Sequence, residues 1–347
     1  MQNSQQLISA PGSLIAANGE LSLGHFNGPV SQLGLAHFAY TNTMDKPASA
    51  WARHFHYKQF QFVSIKSDDY ILGFALADIR YLGSGFCYAY HIASQTLQEC
   101  TWLKPCGVGY GTQPSPVNSL AFIKGKHSLQ LHISEGQWQL TANTPFLEAD
   151  LQLAPANQQQ CMAMCSPTGY SGWTYTQKHN ALPVAGHLQI NAKVQDLNSA
   201  LGGYDFSAGY MRRETCWRWA SFSTRLNQTT IGLNLAAGVN ETGCNENALW
   251  VNDHKQLLGP VHFVFKRSLA NESCSQPQIW HIYSEDGRVN LQFTPLNSRQ
   301  ERLNLLLLKS NFRQYIGHFS GSLIDELGQT HQLDQVLGLT EDHFARW

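Results

Sequence analysis

Apolar and polar residues alternate one for one through most of this chain, and that pattern decides what it can fold into. QFQFVSIK (59–66), HSLQLHIS (127–134), GHLQINAKV (186–194), VHFVFK (261–266), RVNLQF (288–293) and LNLLLLK (303–309) all alternate or nearly so. A period of two puts successive side chains on opposite faces of a strand, so each segment predicts one covered and one open face. The segments are short and bounded by Gly, Asn, Asp or Pro, which predicts antiparallel hairpins. Asp286-Gly287 is a strong two-residue turn signal, and DELGQTHQL (325–333) predicts another turn between strands. Helical periodicity is confined to two short candidates, 197–201 and 333–337. The expectation is an all-β protein.

The bulk composition narrows the function class. The 347 residues carry a net charge of -1, with 14% charged and 11% aromatic residues. Such a chain has no broad electrostatic footprint for nucleic acid or anionic lipid. It fits a β-rich body with an aromatic-lined cavity. MQNSQQLISAPGSLIAANGE (1–20) lacks a basic stretch followed by an apolar run, and no segment is long and apolar enough to span a bilayer as a helix. These features predict a cytoplasmic protein without an integral membrane segment, whose eight cysteines are reduced thiols. Oligomeric state is not legible.

A weak internal echo links 51–78 with 217–238. Each begins at tryptophan, passes through an aromatic strand and returns as apolar-Gly-x-x-Leu-Ala: Leu72-Gly73-Phe74-Ala75-Leu76-Ala77 against Ile231-Gly232-Leu233-Asn234-Leu235-Ala236. One hairpin used twice predicts two similar β-domains. Alternation lapses over LAPANQQQCMAMCSPTG (153–169), which places the boundary near Pro167, giving domains 1–166 and 167–347.

The most concentrated chemistry lies in GYMRRETCWRWASF (209–222). As a strand it puts Arg213, Thr215, Trp217 and Trp219 on one face, and Glu214, Cys216, Arg218, Ala220 and Phe222 on the other. Two indoles two residues apart make a flat wall, and a guanidinium beside it can lie over a ring or hold an acid. If the odd face points into a barrel, it walls a cavity; equally, the indoles could be core.

An ordered set of residues then resembles a known family. Trp173, Tyr175, Lys178, Leu182-Pro183-Val184 and Gly186, then Tyr204-Asp205, Gly209-Tyr210, Trp217-Arg218-Trp219, IGLNLAAG (231–238), Glu246-Asn247-Ala248-Leu249-Trp250 and the tail Glu341-Asp342-His343 through Arg346-Trp347 resemble a bacterial family of unknown function over nearly the whole chain. That family is similar, more distantly, to carotenoid 1,2-hydratases, tocopherol cyclases and AttH-like proteins. The resemblance implies two lipocalin-like (calycin) antiparallel β-barrel or β-sandwich domains packed side by side, with few short helices. It implies an apolar, terpenoid- or lipid-like ligand and cofactor-free chemistry.

Protonating a carbon–carbon double bond needs a carboxylic acid kept partly neutral by apolar surroundings, and aromatic faces for the developing cation. Asp205 is the candidate acid, with Glu246 or His343 in support. Tyr204, Arg213, Trp217, Trp219, Asn247 and Trp250 are candidate ligand-binding residues. An arginine close to Asp205 would make it a poor acid, so pairing of Asp205 with Arg213 would favour a carrier over an enzyme. Three readings stay open: a hydratase, cyclase or isomerase; a hydrophobic-ligand carrier; and a filled double barrel acting through a partner protein. No cofactor or metal is expected. CGVGYG (106–111) is not followed by a helix, Cys161 and Cys165 have no second pair, and His54 and His56 lack a third ligand.

Overall fold

The computed structural model describes residues 7–240, 243–267, 278–305 and 308–347. The protein is all-β: its described residues form one 15-stranded and one 9-stranded sheet, almost wholly antiparallel. The chain divides into two compact units, Met1–Arg212 and Arg213–Trp347.

Both units use one plan. In the first, a four-strand meander runs Tyr57–Lys66, Tyr70–Asp78, Leu82–His91 and Thr96–Pro105. The unit's last strand, Leu201–Tyr210, returns to pair with the free side of the meander's first strand, and the remaining strands continue outward from it. In the second, Glu214–Leu226, Thr229–Ala237, Ala248–Val251 and His254–Leu257 form the meander. The last strand, Thr330–Arg346, pairs beside Glu214–Leu226 and is followed by Leu308–Ile324, Val289–Leu305, Trp280–Ser284 and Val261–Val264.

The echo in the sequence is this shared hairpin, and it holds residue by residue. Gly73 pairs with Ser64 and Gly232 with Ser223. The next strand places an aromatic residue opposite each glycine, Tyr88 in one unit and Trp250 in the other. At Gly73 the reason is steric, since a Cβ there would lie 2.4 Å from the Tyr88 ring. The leading tryptophans do not correspond. Trp51 belongs to the α-helix Ala50–His56, capped by Ser49 Oγ, which accepts from Ala52 N–H at 3.1 Å, and it is 67% exposed.

Three expectations need correction. The division falls at Arg212/Arg213 and not near Pro167, because the sulphur-rich stretch is a core strand. Met162–Thr168 pairs in register with Gly172–Ile190 from Met162↔Lys178 to Thr168↔Gly172, and Cys161, Met162, Met164 and Cys165 are buried. The segment 197–201 is a turn running into a strand. The segment 333–337 lies inside the strand Thr330–Arg346. There Gln335 has a positive φ of 50°, and the register slips between Phe319 and Gly321 of the neighbouring strand. The resulting bulge turns both Leu333 and Val336 toward the core, and their spacing of three imitates a helix. His54 and His56 lie on the short helix, and no group of three metal-ligating side chains occurs among the described residues.

Each unit has its own core. In the second, ring centroids step from Phe222 to Phe319 (5.3 Å), Phe319 to Phe293 (4.7 Å), Phe293 to Trp280 (6.3 Å) and Trp280 to Phe265 (3.8 Å). Ala220, Leu233, Leu235 and Leu249 close the cluster. Burying each large side chain contributes about 1.5–3 kcal/mol.

Candidate functional site

The core decides which face of 209–222 points inward. Ala220 and Phe222 belong to it, so the even-numbered face of Glu214–Leu226 is the one that meets this unit's core, although Glu214 and Cys216 at the start of the strand are exposed and Trp219 on the other face is also buried. Trp217 and Trp219 stand on the opposite face, so the tryptophan pair does not wall the interior.

The predicted residues separate into groups. Asp205 and Tyr204 lie in the first unit. Asp205 is ion-paired with Lys178, its cross-strand neighbour, and accepts from Ser207 Oγ at 3.0 Å. Lysine takes the role considered for Arg213, and proton donation by Asp205 would break this pair. Tyr204 is core, stacked on Trp138 with centroids 4.5 Å apart, and its hydroxyl accepts from Gln177 Nε2 at 3.3 Å. Arg213 is exposed, and its carbonyl accepts from the Trp347 N–H at 3.1 Å.

Glu246, Asn247, Trp250 and Trp219 form a buried frame. Asn247 is fully buried; its Oδ1 accepts from Ala236 N–H at 2.7 Å and its Nδ2 donates to the Gly259 carbonyl at 2.9 Å. Trp219 Nε1 donates to Asn234 Oδ1 at 2.8 Å, and Asn234 Nδ2 donates to the Glu246 carbonyl at 2.7 Å. Glu246 Oε1 accepts from Asn240 Nδ2 at 3.2 Å. These bonds tie a loop to two strands. Trp250, fully buried, fills the register position that Tyr88 holds in the first unit.

The remaining two predicted residues, Trp217 and His343, are brought together with four others. They are direct cross-strand partners, with ring centroids 4.2 Å apart. Trp217 Nε1 donates to Glu341 Oε1 at 2.8 Å, and Gln314 Nε2 reaches Glu341 Oε2 at 3.3 Å. His343 Nδ1 lies 3.6 Å from Glu341 Oε1, and His343 Nε2 is 2.9 Å from Ser310 Oγ. Phe312 packs edge-on against the imidazole at 5.1 Å. The hydroxyl and the imidazole are thus within hydrogen-bond distance, while Nδ1 faces the carboxylate without a hydrogen-bond partner among the described residues, beside an indole. The His343 side chain is only 13% exposed. This order of groups can take a proton from a bound hydroxyl or water and return it elsewhere.

Alternation along Thr330–Arg346 places Glu341 and His343 on one face and Asp342 on the other. Asp342 is buried and holds three arginines. Arg267 grips it with Nε at 2.8 Å and a terminal nitrogen at 2.7 Å, Arg313 lies at 3.2 Å and Arg218 at 3.6 Å. The bonds to Asp342 hold the Arg267 guanidinium above its ordinary value. Burial raises the nearby Tyr315 hydroxyl as well.

Glu341 and Arg218 entered the sequence analysis only as part of the family resemblance, and Ser310, Gln314, Arg267 and Arg313 were not singled out. Only the Glu341/His343 spacing of two carried a signal; the others depend on strand register.

The architecture is that of the AttH- and hydratase-type two-barrel proteins. A protein assigned to AttH from Nitrosomonas europaea superposes with a TM-score of 0.51 at 12% identity, over 88% of this chain and 96% of that one. Kievitone hydratase from Nectria haematococca superposes with a TM-score of 0.50 at 10% identity, over 84% and 88%. The chain belongs to DUF2804, a family defined by a domain of unknown function, whose model matches residues 5–347. No curated protein sequence matches it. Among the described residues no helix is long and apolar enough to cross a membrane.

Proposed function

We propose that this protein binds a largely apolar small molecule against the Trp217–His343 face and performs cofactor-free acid–base chemistry on it, adding or removing water or moving a proton at a carbon–carbon double bond. One observation carries the reading: His343 sits between the Ser310 hydroxyl and the Glu341 carboxylate, with the Trp217 indole over its ring. An imidazole so placed can act as base toward a water, and indole and phenyl faces suit a substrate that develops positive charge. The fold shared with a protein named as a hydratase agrees with this chemistry. Asp205 plays no part in the reading, because Lys178 already occupies its carboxylate.

The test begins with the full chain purified from its own host and mass spectrometry of the small molecules that come with it. Those molecules are then incubated with the protein in deuterated water. The wild type incorporates deuterium at carbon, and His343→Gln retains the bound molecule while turnover drops about 10²-fold or more. Failure of the wild type to exchange any proton removes catalysis from the proposal; equal exchange by His343→Gln removes His343.

A further inference from the structure

The face of the second unit opposite His343 carries a concentration of positive charge that the proposed chemistry does not use. Cross-strand register puts Arg218, Asp342, Arg313 and Gln300 in one row, Cys216, Phe344, Asn311 and Arg302 in the next, and Glu214, Arg346, Lys309 and Asn304 in a third. Arg267 reaches the first row through Asp342. Six cations, Arg218, Arg267, Arg302, Lys309, Arg313 and Arg346, therefore face two carboxylates, Asp342 and Glu214, in a chain whose overall charge is -1.

The same face continues into the barrel. Thr340, one step inward from Asp342, is fully buried, and its Oγ1 has no hydrogen-bond partner among the described residues. Tyr315 pairs with it across the strands, and Phe222 and Phe319 lie beyond. Outward, Phe344 stands 37% exposed among the cations. Going inward, the surface thus passes from guanidinium groups to isolated hydroxyls to packed aromatic rings. A surplus of guanidinium donors recognises carboxylate or phosphate oxygens, and the adjoining apolar surface recognises a hydrocarbon body.

We infer that this face binds an anionic amphiphile, its carboxylate or phosphate head on Arg218 and Arg313 and its apolar part toward Phe344 and the barrel mouth. The inference is independent of the His343 chemistry, which lies across the sheet. Calorimetric titration of the full chain with laurate, dodecyl phosphate and dodecanol tests it. Laurate or dodecyl phosphate binds saturably, and the better of the two identifies the head group. Dodecanol binds about tenfold more weakly or less, and raising the salt concentration weakens the anions selectively.

Arg218→Gln lowers affinity for the anion. Because it also touches Asp342, Arg302→Gln with Lys309→Gln provides a second variant that leaves the Asp342 cluster whole. It weakens the anion about threefold or more through lost attraction alone. Equal binding of dodecanol, an affinity unmoved by both variants, or binding only to anionic vesicles and to none of the monomeric amphiphiles overturns the inference.

Discussion

Trp217 and His343 share one carboxylate: the indole N–H donates to Glu341 Oε1 at 2.8 Å while the imidazole Nδ1 lies 3.6 Å from the same oxygen. Glu341 therefore orients the indole and places its charge beside the imidazole, whose Nδ1 has no hydrogen-bond partner among the described residues. Glu341→Ala is expected to leave the Trp217 N–H and the Gln314 amide without their acceptor, costing about 1–3 kcal/mol in urea denaturation. Glu341→Gln, which keeps the shape, is expected to cost less stability while lowering any turnover with the host-derived substrate. A Glu341→Ala variant as stable as the wild type would show that the carboxylate organises nothing.

Gly338 has no room for a side chain. A Cβ there would sit 2.7 Å from Phe222 Cβ and from the Ser221 carbonyl, and 2.8 Å from the Phe319 ring. Gly338→Ala is expected to destabilise the second unit by about 1–3 kcal/mol through overpacking. Thermal unfolding checks this, and an unchanged melting temperature contradicts the close approach.

Phe319 and Phe344 provide a contrast within one sheet. Phe319 is fully buried between Phe222 and Phe293, whereas Phe344 is 37% exposed. Phe319→Ala should cost about 3–5 kcal/mol. Phe344→Ala should stay within about 0.5 kcal/mol while reducing laurate binding. Comparable losses of stability in both variants would contradict the passage from exposed edge to packed core along this face.

Lys58 makes the first unit's stability depend on alkaline pH. Burial, and then the nearby Arg80 charge, push its ammonium down from 10.5 to about 8, although its Nζ donates to the carbonyls of Phe55 and Ile79. The folded state releases this proton before the unfolded chain does. The penalty for burying the charge is therefore full below pH 8 and fades as pH rises from about 8 to 10.5. The wild type should gain stability relative to Lys58→Met across that window. Denaturation midpoints at pH 7.5 and pH 9.5 check it, and a difference that stays constant or runs the other way refutes the burial argument.

Much of the fold was legible because a strand writes its pattern locally. The turn at Asp286-Gly287 joins Trp280–Ser284 to Val289–Leu305 as expected, and Gly287 adopts the positive φ of 74° that such a turn needs. The apolar-Gly echo marked the repeated hairpin. The resemblance pointed to the architecture that this protein and the solved structures share. The unit boundary was misplaced because composition cannot distinguish a polar linker from a short polar lead into the buried strand Met162–Thr168. The orientation of the tryptophan face stayed open because alternation shows that two faces exist without saying which one meets the core.

The candidate site was only partly legible, and the reason is register. His343 and Trp217 could be named from residue type. That Ser310 and Gln314 join them depends on the bulge at Gln335, which shifts the pairing of Leu308–Ile324 with Thr330–Arg346 by one residue. Without that slip, His343 would pair with Asn311, now opposite Phe344, because one residue of shift moves a side chain to the other face.

Sequence by itself determined that this chain makes antiparallel strands, that it repeats a hairpin, and that it holds few charges but many rings, since alternation, turn chemistry and composition act over a few residues; it did not show that four strands run to 17–19 residues. Tertiary structure alone decided which face became core, which carboxylate met which cation, and where the division between units fell. Those outcomes depend on cross-strand partners far apart in the chain, such as Trp217 and His343, which only the pairing of the unit's first and last strands brings together.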